Sequence, residues 1–151
     1  MSGETDLIKL YSARILELAA DIPHHGRLDA PEASVKRRAP LCGSTVTVDI
    51  CTDGDKITDY AAEVKACALG QAAASIVGQH IIGARFDQVV TARDALKDML
   101  KNDGPTPAAP FDGLEVLRPA RDYKNRHASI LLTLDATVEA LEQIKAAQPC
   151  G

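Results

Sequence analysis

Two cysteines and a histidine carry the chemistry this sequence offers: Cys42, in the run Cys42-Gly43-Ser44, then Cys67, and far downstream His127. Thiolate and imidazole are soft or borderline ligands suited to zinc or iron, and a thiolate is also a sulfur nucleophile. Their spacing says how they can meet. Between the cysteines lie two alternating apolar runs, Val46/Val48/Ile50 and Ile57/Tyr60/Ala62/Val64, split by Thr52-Asp53-Gly54-Asp55. β-Branched residues around an Asp-Gly turn predict a hairpin. Cys42 precedes the first strand and Cys67 follows the second, so antiparallel pairing brings the two outer ends together. His127 falls at the head of a predicted last helix, where its imidazole can face the same sheet end.

The remaining candidates are weaker. Cys51 is expected by the hairpin turn, roughly 30 Å from Cys42 at ~3.3 Å per strand residue. Cys150 sits in the terminal Ala147-Gln148-Pro149-Cys150-Gly151, either a bystander thiol or a swinging fourth ligand. His24 and His25 are adjacent, so in an extended segment they point to opposite sides, which reads as surface loop. His80 is expected some 20 Å along its helix from Cys67 and is read as a partly buried, satisfied histidine. Lys36-Arg37-Arg38 is a solvated charge run, or else a basic neighbour of Cys42 or of an acidic partner.

The elements that must hold these residues follow from periodicity. Leu7, Tyr11, Ile15 and Leu18 make one stripe of a helix over 6–20. Residues 22–40 contain three prolines and read as loop with one short edge strand over Ala33–Arg37. Cys67 opens a helix rich in small residues that stops at Gly83, and its thiol stands where the positive dipole end favours a thiolate. A further helix is predicted from Asp87 to Asn102, then a proline-rich connector, then one or two turns over Phe111–Leu117. The last helix is expected from Arg126 to Ala147 with Asn125 as its N-cap.

Bulk composition narrows the class. The 151 residues are 46% hydrophobic and 25% charged, which suits one folded domain spanning 1–151. A net charge of −4, 3% aromatics and no tryptophan argue against a nucleic-acid binder. No apolar run is long enough for a membrane span and the start is acidic, so a cytoplasmic protein is expected. In that compartment four cysteines suggest metal or thiol chemistry before disulfides.

Three stretches together resemble the iron–sulfur cluster scaffold family, comprising IscU, SufU and the N-terminal domain of NifU. They are Pro40-Leu41-Cys42-Gly43-Ser44, Lys65-Ala66-Cys67 at the head of the small-residue helix, and Arg126-His127-Ala128-Ser129-Ile130-Leu131. The resemblance implies an α+β, SufE/NifU-like sandwich: a three-stranded antiparallel meander with helices on one face. Two departures stand out. The family pattern Cys-Gly-Asp is here Cys42-Gly43-Ser44, which replaces a carboxylate by a poorer, neutral ligand. The third motif, His-Cys-Ser in IscU and a lone cysteine in SufU, reads His127-Ala128-Ser129. One register pairs His127 with the IscU histidine and leaves Ala128 for the cysteine; the other pairs His127 with the SufU cysteine. The chaperone signal Leu-Pro-Pro-Val-Lys of IscU is absent.

The resemblance implies a scaffold on which a [2Fe–2S] cluster is built and passed to apo-protein acceptors, with no turnover of its own. Cys42, Cys67 and His127 would bind the metal, and Ser44, Cys150 or a partner's group would complete the set. Sulfur would come from a cysteine desulfurase through persulfide at Cys42 or Cys67. The alternative is a SufU-like sulfur acceptor holding zinc in place of the cluster. A third reading is a degenerate member that keeps the fold and only mediates interactions.

Overall fold

The computed structural model describes residues 11–40 and 43–147. The expected hairpin organises it. Strands β2 (Thr45–Asp53) and β3 (Lys56–Lys65) pair antiparallel, from Thr45 opposite Lys65 to Asp53 opposite Lys56. Gly54 turns the chain with φ +64°, a left-handed conformation open to glycine because it lacks a Cβ. β1 (Ala33–Arg38) pairs with the other edge of β2, giving the order β1-β2-β3, and runs one residue beyond the expected edge strand. Val46, Val48 and Ile50 alternate onto the same buried face as Tyr60, Ala62 and Val64, where they join the helices in one core. The fold is therefore α+β, as the resemblance implied.

The opposite face of the sheet carries one buried charge. Asp49 is fully buried and accepts bonds from Arg27 Nε at 2.7 Å, Ser34 Oγ at 2.6 Å and the Leu28 amide at 3.0 Å. Burial pushes its carboxyl up, but the hydrogen bonds from Arg27, Ser34 and Leu28 outweigh that and hold it below the ordinary range. The carboxylate thus ties the loop before β1 across the strands. The same loop pairs with β3, where His24 O accepts from the Ala62 amide. Both His24 and His25 are exposed, in keeping with a surface loop.

Helix α1 (Ala13–Ala20) is capped by Ser12 and buries Ile15 and Leu18; residues 6–10 of the expected helix lie outside the described part. Helix α2 (Ala68–His80) follows Cys67 directly and packs on α1. Helix α3 spans Phe86–Asn102 and ends on Asp103 at φ +53°. A 3₁₀ stretch, Asp112–Asp122, is longer than the one or two turns expected and leads into α4 (Lys124–Ala147). This last helix is the centre of the molecule, packed on α2, α3, β1 and β2 and buried on most of its circumference.

Two expectations are corrected here. His80 is exposed at the last turn of α2, where the helix leaves the core, and is not a partly buried histidine. Helix α4 begins at Lys124, so Asn125 is inside its first turn and does not cap it. Among the described residues no helix is long and apolar enough to cross a membrane.

Candidate functional site

The end of the sheet opposite the Gly54 turn gathers the site. Because Thr45 faces Lys65, the residues just outside those strands, Ser44 and Cys67, meet at one edge. Cys67 is the N-cap of α2 in an extended conformation, and its side chain makes no capping bond. Its half-buried thiol turns instead toward α4, with Sγ 3.5 Å from Ser129 Oγ. Ser129 Oγ in turn lies 3.0 Å from Ser44 Oγ. Both hydroxyls are buried, Ser129 to 1% exposure and Ser44 to 4%.

Close packing holds this triangle. A Cβ on Gly70 would stand 2.6 Å from Ser129 Oγ and 2.9 Å from Ala66 Cβ, so only glycine lets α2 approach α4 here. On the strand side, the Ala39 amide donates to Ser44 O at 2.8 Å and the Gly43 amide to Ala39 O at 3.0 Å. These bonds close the β1–β2 connection, and Gly43 adopts φ +72° within it. Arg38 Nη2 lies 3.9 Å from where a Gly43 Cβ would stand, while Arg37 pairs with Glu139 at 2.7 Å. Of the basic run, Arg38 is thus the residue that borders the connection. Cys42 and Cys150 lie outside the described residues.

His127 does not join this group. Its ring is buried, and Nε2 lies 3.0 Å from the Ala120 carbonyl and 3.1 Å from that of Arg121. Carbonyls only accept, so Nε2 carries the proton and pegs the 3₁₀ stretch to α4. The expectation that His127 shares a point with Cys67 and Ser44 is corrected by helix geometry. Two residues of α-helix turn the side chain through about 200°, so His127 and Ser129 leave α4 on nearly opposite faces.

Ser129 is the residue that reading the sequence for ligands passed over. A serine amid Ile130, Leu131 and Leu132 looks like packing, and the motif alignments had offered only His127 and Ala128. The available signal was a small-and-polar stripe on α4, Ser129, Thr133, Ala136, Thr137 and Ala140, all buried at helical spacing.

Chemically, the triangle offers one thiol and two hydroxyls. Across a tetrahedral ion with metal–sulfur bonds of ~2.3 Å and metal–oxygen bonds of ~2.0 Å, a sulfur–oxygen edge is about 3.5 Å and an oxygen–oxygen edge about 3.3 Å. The observed 3.5 and 3.0 Å are close to both. Neutral hydroxyls are weak donors beside thiolates, and among the described residues no three His, Cys, Asp or Glu side chains are grouped to hold a metal ion.

The comparisons with known proteins agree with this architecture. The profile of the NifU-like N terminal domain family matches residues 10–129, and the chain belongs to that family. The chain is similar to an NifU-like protein (N-terminal) from Brucella abortus, with 44% identity, TM-score 0.93, and coverage of 95% of this chain and 99% of that one. It is 26% identical over 139 residues to the iron–sulfur cluster assembly scaffold protein IscU of Streptococcus pyogenes serotype M1, covering 92% of this chain and 87% of the relative. A SUF-system scaffold structure from Fervidobacterium islandicum AW-1 shares the fold at TM-score 0.78 and 23% identity, over 89% of this chain and 98% of that one.

Proposed function

We propose that this chain, acting as a single domain in the cytoplasm, is an iron–sulfur cluster assembly scaffold. In this reading a nascent [2Fe–2S] cluster is its cargo, held by Cys42 and Cys67 and passed on to apo-protein acceptors. Similarity to IscU over most of both chains supports the role. The observation that carries it is the meeting of Cys67, Ser129 and Ser44 at one sheet end, on the connection whose sequence contains Cys42. Ser129 and Ser44 offer the remaining oxygen donors, and His127 serves as a structural peg. Weak hydroxyl donors suit a carrier that has to let go.

Sulfur delivery needs only the thiols. A Cys67 thiolate attacks the outer sulfur of a persulfide on a cysteine desulfurase. The new sulfur–sulfur bond leaves the persulfide on Cys67 and returns the donor cysteine as thiolate. A second reading, a sulfur acceptor that holds zinc, is favoured by the absence of the third motif's thiolate, whose position is taken by Ala128 or His127 in this chain. The same cysteines would serve it.

Anaerobic isolation followed by reconstitution with iron and sulfide tests the proposal. The expected result is a visible-absorbing species with matched iron and sulfide that is lost in Cys67→Ala and in Cys42→Ala and kept in His127→Ala. Tightly held zinc, with a stimulated desulfurase and no cluster, selects the acceptor reading. Protein that takes up neither metal is an interaction-only member, and the proposal fails.

A further inference from the structure

The face of α4 opposite Ser129 borders an open groove of about 750 Å³ between α3 and α4. Arg93, Lys97 and Lys101 line one wall, spaced four residues apart on α3, and Lys124 stands at the head of α4 on the other. Two carboxylates, Asp94 and Asp135, enter the same groove, and both are engaged by Arg93 at 2.7 and 3.5 Å. The three lysines make no ion pair among the described residues, and Lys97, with Arg37 and Arg93, only partly offsets the effect of burial on the Asp135 carboxyl, which stays raised. Four cations against two carboxylates make this a positive strip on a chain whose net charge is −4. The floor is apolar, formed by Leu100, Ala128 and Leu131.

We propose that this groove docks an acidic peptide segment of a partner protein. Three cations at i, i+4 and i+8 extend over about 12 Å, the length of about four extended residues, a spacing that matches a run of carboxylates along a peptide better than one compact anion. The apolar floor adds a seat for an aliphatic side chain between acidic ones, as peptide grooves do. No Phe, Tyr or Trp lines the groove to stack a base, and the one ring that borders it, His127, is buried and bonded to the Ala120 and Arg121 carbonyls. A partner held here lies against the first turns of α4 and leaves Cys67, on the far side of that helix, uncovered. The proposal does not depend on what the thiol site carries.

The test uses the full chain, ¹⁵N-labelled, titrated with a peptide of repeated Glu-Glu-Leu, with its Lys-Lys-Leu counterpart, and with inorganic phosphate. Expected are amide shifts confined to residues 93–101 and 124–135 with the acidic peptide alone, weakening as salt rises because the charges are exposed. The double variant K97E/K101E should bind the acidic peptide about tenfold more weakly with unchanged thermal unfolding, and K124E should weaken it by a smaller factor. The proposal is overturned by shifts spread over the surface, by an equal response to the basic peptide, or by no response. It is overturned equally if phosphate alone reproduces the pattern, which would make the groove a small-anion site.

Discussion

The first turns of α4 present two faces that share a backbone and little else. One face carries Ser129 into a neutral, close-packed corner with Cys67, Ser44 and Gly70. The other carries His127 onto two main-chain carbonyls and borders a charged, open groove. By residue type alone the roles would be exchanged, since histidine is the common metal ligand and serine the common filler. What a side chain does here is decided by the face of the helix from which it leaves. The imidazole Nε2–H is used up by the Ala120 and Arg121 carbonyls, whereas the Ser129 hydroxyl touches the thiol and a second hydroxyl.

That contrast is broken most forcefully on the close-packed side. Gly70→Val puts a branched side chain where a Cβ already meets Ser129 and Ala66, and should lower unfolding free energy in urea by about 3 kcal/mol. A valine variant as stable as the parent would mean that α2 and α4 are not tightly apposed at the thiol. Next is His127→Ala, which removes a buried ring and its bond to the Ala120 and Arg121 carbonyls, the first of which keeps the Tyr123 amide, and should cost about 2 kcal/mol. Iron and sulfide bound after reconstitution should be unchanged in this variant. Loss of iron in a folded His127→Ala protein would return the histidine to the site and erase the distinction between the faces.

Ser129→Ala should cost only about 1 kcal/mol of stability, because the hydroxyl's bond to Ser44 and its longer, weaker contact with the Cys67 sulfur are lost. Ser129→Cys sharpens the comparison, since a thiolate in place of the hydroxyl beside Cys67 should slow iron release to a chelator. Identical release from the serine, alanine and cysteine proteins would make Ser129 packing and nothing more.

The smallest effect is on the groove side, at Asp135. Burial raises its carboxyl above the ordinary value, and Arg37, Arg93 and Lys97 only partly offset that. The folded state therefore takes up the proton first, and the Asp135 contribution to stability rises as pH falls through the raised value toward the unfolded one near 4. Asp135→Asn should leave neutral-pH stability within about 0.5 kcal/mol and remove this acid gain, read from urea midpoints across the carboxyl range. Asp49, whose carboxyl is held low, has the opposite sign: its contribution is present above the unfolded value and lost as pH falls through the folded one.

Much of the frame could be read from residue order. Val46, Val48 and Ile50, the Asp53-Gly54 turn and the run to Val64 specify a hairpin because alternation and turn chemistry are local. The same pairing places Ser44 beside Cys67 with no further information, and the small residues after Cys67 announce a helix that packs closely. The edge strand and the helix ending at Asn102 were equally open to that kind of reading.

The phase of α4 was not. A helix turns about 100° per residue, so knowing that Arg126 to Ala147 is helical leaves open which of His127, Ala128 and Ser129 faces the thiol. Tertiary structure decided it: the helix starts at Lys124, the Ala120 and Arg121 carbonyls draw His127 to one side, and Gly70 leaves room for Ser129 on the other. Sequence fixes which residues are neighbours along a helix, but only the elements packed around it choose which of them looks inward.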